Sequence, residues 1–153
     1  MRTRRGLTAL ALLAAAIASG ESGVALAAPG NKCPATTLNG LYVFSATGFT
    51  TATDPAQPKA IVEWIRFNGD GTLDVPGATR SLNGVIAQIP PGGTGSYTIA
   101  DLVPPDGGCM GTLTFLPSGP HFNLFIPPKA AEIWMIQTDA NNVFQGTATR
   151  VSR

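Results

Sequence analysis

The sequence predicts an all-β domain, an antiparallel meander of eight to nine strands closed into a small barrel. Three observations lead there. Gly (18) and Pro (13) make up about a fifth of the 153 residues, too many for a helical bundle, while 44% hydrophobic content is too apolar for disorder. Nine segments rich in Val, Ile, Thr and aromatics, or alternating at period two, follow one another with turn residues between them. Beyond the N-terminal leader, no long stretch combines helical periodicity with a cap.

The leader comes first. Arg2, Arg4 and Arg5 form a basic region, and Leu7–Ala18 is apolar apart from Thr8. Such a run is too short to cross a hydrocarbon core of ~30 Å as a helix. Ala25-Leu26-Ala27 supplies the small-x-small pattern of a cleavage site, so residues 1–27 read as a secretory signal peptide and Ala28 as the first mature residue. A cut after Ala18 is an alternative, as is a twin-arginine route through Arg4-Arg5, where Thr8 occupies a position such signals prefer to fill with a hydrophobe. Gly30-Asn31-Lys32 ahead of Cys33 is not a lipidation signal. The expected location is secreted or periplasmic. Residues 28–39 form an N-terminal segment, and residues 40–153 one barrel domain.

The strand segments are Leu41–Thr47, Ala60–Phe67, Gly71–Val75, Thr79–Gln88, Gly95–Asp101, Met110–Leu116, His121–Ile126, Glu132–Thr138 and Val143–Arg150. Asn68-Gly69-Asp70-Gly71 is a tight hairpin, because Gly and Asn accept positive φ cheaply. Pro117-Ser118-Gly119-Pro120, Pro127-Pro128-Lys129 and Asp139-Ala140-Asn141-Asn142 separate the later strands. Short connections make sequence neighbours spatial neighbours. A flat sheet of this size would expose two edges, and closure removes them, the last strand near Gly146 pairing with the first near Tyr42. Gly40, Gly84, Gly95, Gly111 and Gly146 fall where a closing sheet must bend. A β-sandwich is the alternative.

Charge excludes several functions. With 10 Lys+Arg against 9 Asp+Glu, the chain has no basic surface for nucleic acid. Without residues 1–27, 126 residues remain, with 7 basic and 8 acidic side chains and no apolar stretch of membrane-spanning length. One His and two Cys leave little for a metal cluster, and no cofactor motif is present. The oligomeric state is left open.

Several short motifs occur in a fixed order. They are Cys33, Leu38-Asn39-Gly40-Leu41-Tyr42-Val43-Phe44, Gly69-Asp70-Gly71-Thr72, Thr94-Gly95-Ser96-Tyr97-Thr98, Cys109-Met110-Gly111-Thr112-Leu113-Thr114 and Gly146-Thr147-Ala148-Thr149-Arg150. In this order the chain resembles a group of small secreted bacterial proteins without assigned function. The group looks like small calycin-type or allene-oxide-cyclase-like barrels. The resemblance implies a shape only, since no catalytic motif of the cyclases is present to carry over.

Cys33 and Cys109, in an exported chain, read as a structural disulfide. Closing a loop of that length contributes about 4 kcal/mol on the chain-entropy view. Asn68, Asp70, Thr72 and Asp74 mimic the start of a calcium loop, but Thr79 stands where a bidentate Glu is needed, so the segment reads as a polar hairpin. His121 reads as an exposed turn residue, because no nucleophile motif accompanies it. Glu63 alternates with Ile61, Ile65 and Phe67. Val62 and Trp64 on the other face are equally apolar, so the pattern leaves open which face turns inward. Inside, Glu63 is a candidate acid or base with a raised pKa. A structural pairing with Arg66, Arg80 or Arg150 is preferred over catalysis. Glu132, beside Trp134 and Ile136, poses the same question.

A small barrel is either filled by its side chains or holds one small ligand. The candidate cavity residues are Tyr42, Phe44, Glu63, Trp64, Tyr97, Phe115, Phe122 and Trp134. Inward sets should include Tyr97 with Ile99, Leu113 with Phe115, and Phe122 with Leu124. Three functions fit: a binding module for a small apolar molecule, a structural or interaction protein of the cell envelope with a filled core, and an isomerase- or cyclase-like enzyme using a cavity carboxylate. The first is preferred.

Overall fold

The computed structural model describes residues 33–101 and 108–153. The expected leader over residues 1–27, and the mature start at Ala28, lie outside the described residues. A 3-10 turn (Ala35–Thr37) precedes nine strands: β1 (Asn39–Thr50), β2 (Gln57–Asn68), β3 (Thr72–Leu82), β4 (Val85–Ile89), β5 (Gly93–Asp101), β6 (Cys109–Leu116), β7 (His121–Ile126), β8 (Glu132–Gln137) and β9 (Asn142–Ser152). Every pairing is antiparallel. The circuit runs β1-β2-β3-β5-β6-β7-β8-β9 and returns to β1, with Tyr42 opposite Arg150 and Ala46 opposite Gly146. Eight strands therefore close in the expected meander, and the sandwich alternative falls.

The seam between β1 and β9 is tight. A Cβ on Gly48 would overlap the Val143 carbonyl oxygen, and one on Gly146 would overlap that of Ser45. Only glycine lets these two backbones approach so closely.

One division of the strands differs from expectation. Gly71–Val75 and Thr79–Gln88 read as two strands, but β3 runs unbroken through Pro76-Gly77, and the second segment is cut at Asn83-Gly84 instead. Two local devices explain this. Trp64 pairs with Gly77 and Arg66 with Asp74, so Ile65 faces two residues, Val75 and Pro76. That bulge accommodates a proline, which has no N–H to offer the ladder. Asn83 (φ 48°) and Gly84 (φ 81°) then supply the two positive-φ residues of a type I′ hairpin between Leu82 and Val85. The bulge also switches the face of β3. Leu73 and Val75 are buried before it, whereas Arg80 and Leu82 lie opposite Ile61 and Lys59 after it. β4 pairs only with β3, outside the eight-stranded circuit.

The two ends of the barrel differ. At one end the Cys33–Cys109 disulfide ties the N-terminal segment to the start of β6, with Cα atoms 6.0 Å apart. Leu38 is fully buried there. The Tyr97 hydroxyl lies 2.9 Å from the carbonyl oxygens of both Ala35 and Leu38. The Tyr42 hydroxyl donates to the Ala130 carbonyl at 2.8 Å and accepts from Arg150 Nε at 2.8 Å. Rings of Tyr42, Phe67 and Tyr97 meet edge to face, with centroids 5.2 Å apart in both contacts. This end is filled. The expected inward sets hold: Tyr97, Leu113, Phe115, Phe122 and Leu124 are buried, and Ile99 packs against them.

Candidate functional site

The other end is a mouth. β1, β3, β6 and β8 finish there, and β2, β5, β7 and β9 begin there, so each inward side chain near those termini borders one space. The space is a cavity of about 510 Å³. Its wall is mainly apolar: Phe44, Ile61, Val75, Leu82, Phe115, Phe122 and Phe144. Phe122 is the hub of the aromatic wall, 5.7 Å from Phe44, 6.0 Å from Phe115 and 6.5 Å from Phe144 between ring centroids.

Glu63 projects into this cavity. β2 places Ile61, Glu63, Ile65 and Phe67 on one face, and their β1 partners Ala46, Phe44, Tyr42 and Gly40 are all buried. That decides the orientation the alternation left open. Glu63 is 7% exposed and is the one buried polar or charged side chain among the described residues. No side-chain hydrogen bond or ion pair reaches its carboxyl among those residues, and the pairing expected with Arg66, Arg80 or Arg150 does not form. Burial pushes its pKa from 4.5 up to about 7.

The eight candidate cavity residues separate into three groups. Phe44, Glu63, Phe115 and Phe122 line the cavity. Tyr42 and Tyr97 point inward but belong to the packed floor, where their hydroxyls are held by backbone carbonyls. Trp64 and Trp134 correct the expectation: 43% and 54% exposed, they stand on the outer surface. Once Glu63 turns inward, period two puts Trp64 outside. Trp134 flanks the buried Ile133 and Met135 and follows the same rule.

Several polar lining or rim residues lie outside the candidate set. Lys59 is inward by the same alternation that carries Glu63 and Ile61. Its ammonium donates to Gln137 Oε1 and Asn142 Oδ1, each at 2.6 Å, and lies 4.2 Å from the Phe144 ring centroid. Burial lowers the Lys59 pKa, and the Asp139 carboxylate opposes that shift. Arg80 reaches the cavity because of the β3 bulge. Asp139 joins His121, which is exposed as expected but not isolated: Nδ1 lies 2.6 Å from Asp139 Oδ1, and the His121 backbone N–H donates to Oδ2 at 2.9 Å. Gln137 Nε2 donates to the same carboxylate at 2.7 Å, linking it to Lys59. The signal for this network was the short β7–β8 hairpin, which brings the start of one strand beside the end of the next.

Among the described residues no hydroxyl or thiol is hydrogen-bonded to the His121 ring or the Glu63 carboxyl, so the pair required for nucleophilic catalysis is not assembled. The arrangement can instead bind: an apolar wall with one carboxyl that has no side-chain partner and borders the open mouth, closed at the floor and open at a polar rim. The calcium-like run behaves as a hairpin. Asp70 accepts from the Thr72 hydroxyl and backbone N–H, and the Asn68 amide donates to Thr72 and Asp74. No group of three His, Cys, Asp or Glu among the described residues could hold a metal ion, and no helix among them is long and apolar enough to cross a membrane. No protein-family model, curated protein or solved structure matches the chain.

Proposed function

We propose that the exported chain is a binding module that carries one small, mainly apolar molecule in the mouth of its barrel. The observation that supports this best is the contrast between the two ends. The floor is packed and cross-linked, yet the mouth keeps a cavity of about 510 Å³ with an apolar wall. That volume lies in the ordinary range for small-molecule sites, roughly 300–1,000 Å³. Export is supported by the basic-apolar-Ala-x-Ala leader and by a disulfide, which persists in oxidising compartments. The closed barrel and the ordered motifs support the likeness to small secreted calycin-like proteins.

The test is titration of the purified mature protein with the uncharged fluorophore N-phenyl-1-naphthylamine, alongside native mass spectrometry. One-to-one saturable binding, or a copurifying small molecule, is expected. An empty spectrum together with no saturable binding would favour a structural role and overturn the proposal.

A further inference from the structure

We infer that the mouth cavity selects an organic cation: a small apolar body bearing one protonated amine that meets the Glu63 carboxylate. This rests on the binding reading above and names the ligand's chemistry. An unpartnered carboxyl inside an apolar wall is costly as a bare ion and is satisfied best by an opposite charge brought by the ligand. Glu63 has that setting, with its carboxyl bordering the cavity and no side-chain partner among the described residues. The wall beside it is aromatic. Phe44 lies directly opposite Glu63 across the β1–β2 pair and contacts Phe122 edge to face, and both rings border the cavity.

The other charges at the mouth do not serve the same purpose. Lys59 is already held by Gln137, Asn142 and the Phe144 ring. Asp139 is committed to His121 and Gln137. Arg80 is exposed at the rim, where water solvates it. A carboxylate ligand anchored on Arg80 would bring Glu63 no opposite charge. A carboxylate placed deeper would bury two acids together. An amine leaves neither defect. Because Glu63 sits near half-protonation at neutral pH, pairing with an ammonium ionises it and releases a proton.

Calorimetric titration with three probes of one shape tests this: 1-naphthylmethylamine, 1-naphthalenemethanol and 1-naphthoate. The amine should bind one-to-one and tighter than the alcohol by about tenfold or more, with the anion weakest. Amine binding at pH 6, repeated in buffers of different ionisation enthalpy, should show proton release that alcohol binding lacks. In Glu63→Gln the amine should lose its advantage while the alcohol still binds. Equal binding of all three, or preference for the anion, overturns the cation proposal and leaves the apolar cavity standing. Binding of none overturns the cavity reading as well. Should Glu63→Gln fail to fold, the order of the three probes on the unmodified protein decides alone.

Discussion

Phe44 and Glu63 face each other across the β1–β2 ladder, so the single buried charged side chain among the described residues lies opposite a phenyl ring. An acid whose folded pKa is raised weakens the fold as it ionises. With a shift from 4.5 to about 7, stability should be full below about pH 4.5, fall as pH rises to about 7, and level off above. The loss integrates to about 3 kcal/mol. Glu63→Gln should remove this slope. Urea unfolding of both proteins between pH 4 and pH 8 measures it, and parallel curves would contradict the burial of Glu63.

The floor depends on its cross-link. Cys109→Ser should lower stability by about 2–5 kcal/mol, because the loop between the two cysteines, 76 positions apart, is then unconstrained in the unfolded chain. Thiol labelling of the native, unreduced protein should find no free cysteine. Quantitative labelling would contradict the pairing.

At the rim, the modest burial of Asp139 raises its pKa, but the His121 backbone N–H, the Gln137 amide and the His121 ring outweigh that and hold it at about 2, below the ordinary 3.8. A depressed carboxyl stabilises above its unfolded pKa and loses that contribution as pH falls from about 4 to about 2. Asp139→Asn should therefore flatten the acid limb of the stability curve and leave fewer constraints between the β6–β7 and β8–β9 turns. Thermal melts from pH 2 to pH 6 check this.

Both tryptophans of the chain stand outside the barrel. Iodide should quench their fluorescence readily, and occupancy of the cavity should leave the quenching unchanged. Protection on ligand binding would place one of them at the mouth.

Much of the fold was legible because local chemistry agreed with it. Asn68-Gly69-Asp70-Gly71 turns, Tyr97 and Leu113 alternate inward, and the last strand meets the first. The orientation of β2 was not legible, because Val62 and Trp64 are as apolar as Ile61 and Ile65. Only the register with buried Tyr42 and Phe44 decides it. Gly71–Val75 and Thr79–Gln88 read as separate strands, whereas a bulge absorbs Pro76 between them and turns Arg80 toward the cavity. Asn83-Gly84 is a readable hairpin signal that lies within the segment read as one strand, Thr79–Gln88. Period two separates inside from outside, but it cannot separate a packed floor from an open mouth. Tyr42 and Phe44 therefore looked alike, although one is fixed by Ala130 and Arg150 and the other borders free space.

If one ligand occupies the mouth cavity, as proposed, filling that space abolishes binding. Ile61 is half-buried, inward-facing and part of the wall, so Ile61→Trp should occupy the space without unpairing β2. Native mass spectrometry of wild type and Ile61→Trp with N-phenyl-1-naphthylamine counts bound molecules directly. The expected result is one per wild-type chain and none per variant, with the circular dichroism of the two unchanged. A folded Ile61→Trp protein that still binds one probe per chain would show that the ligand sits elsewhere.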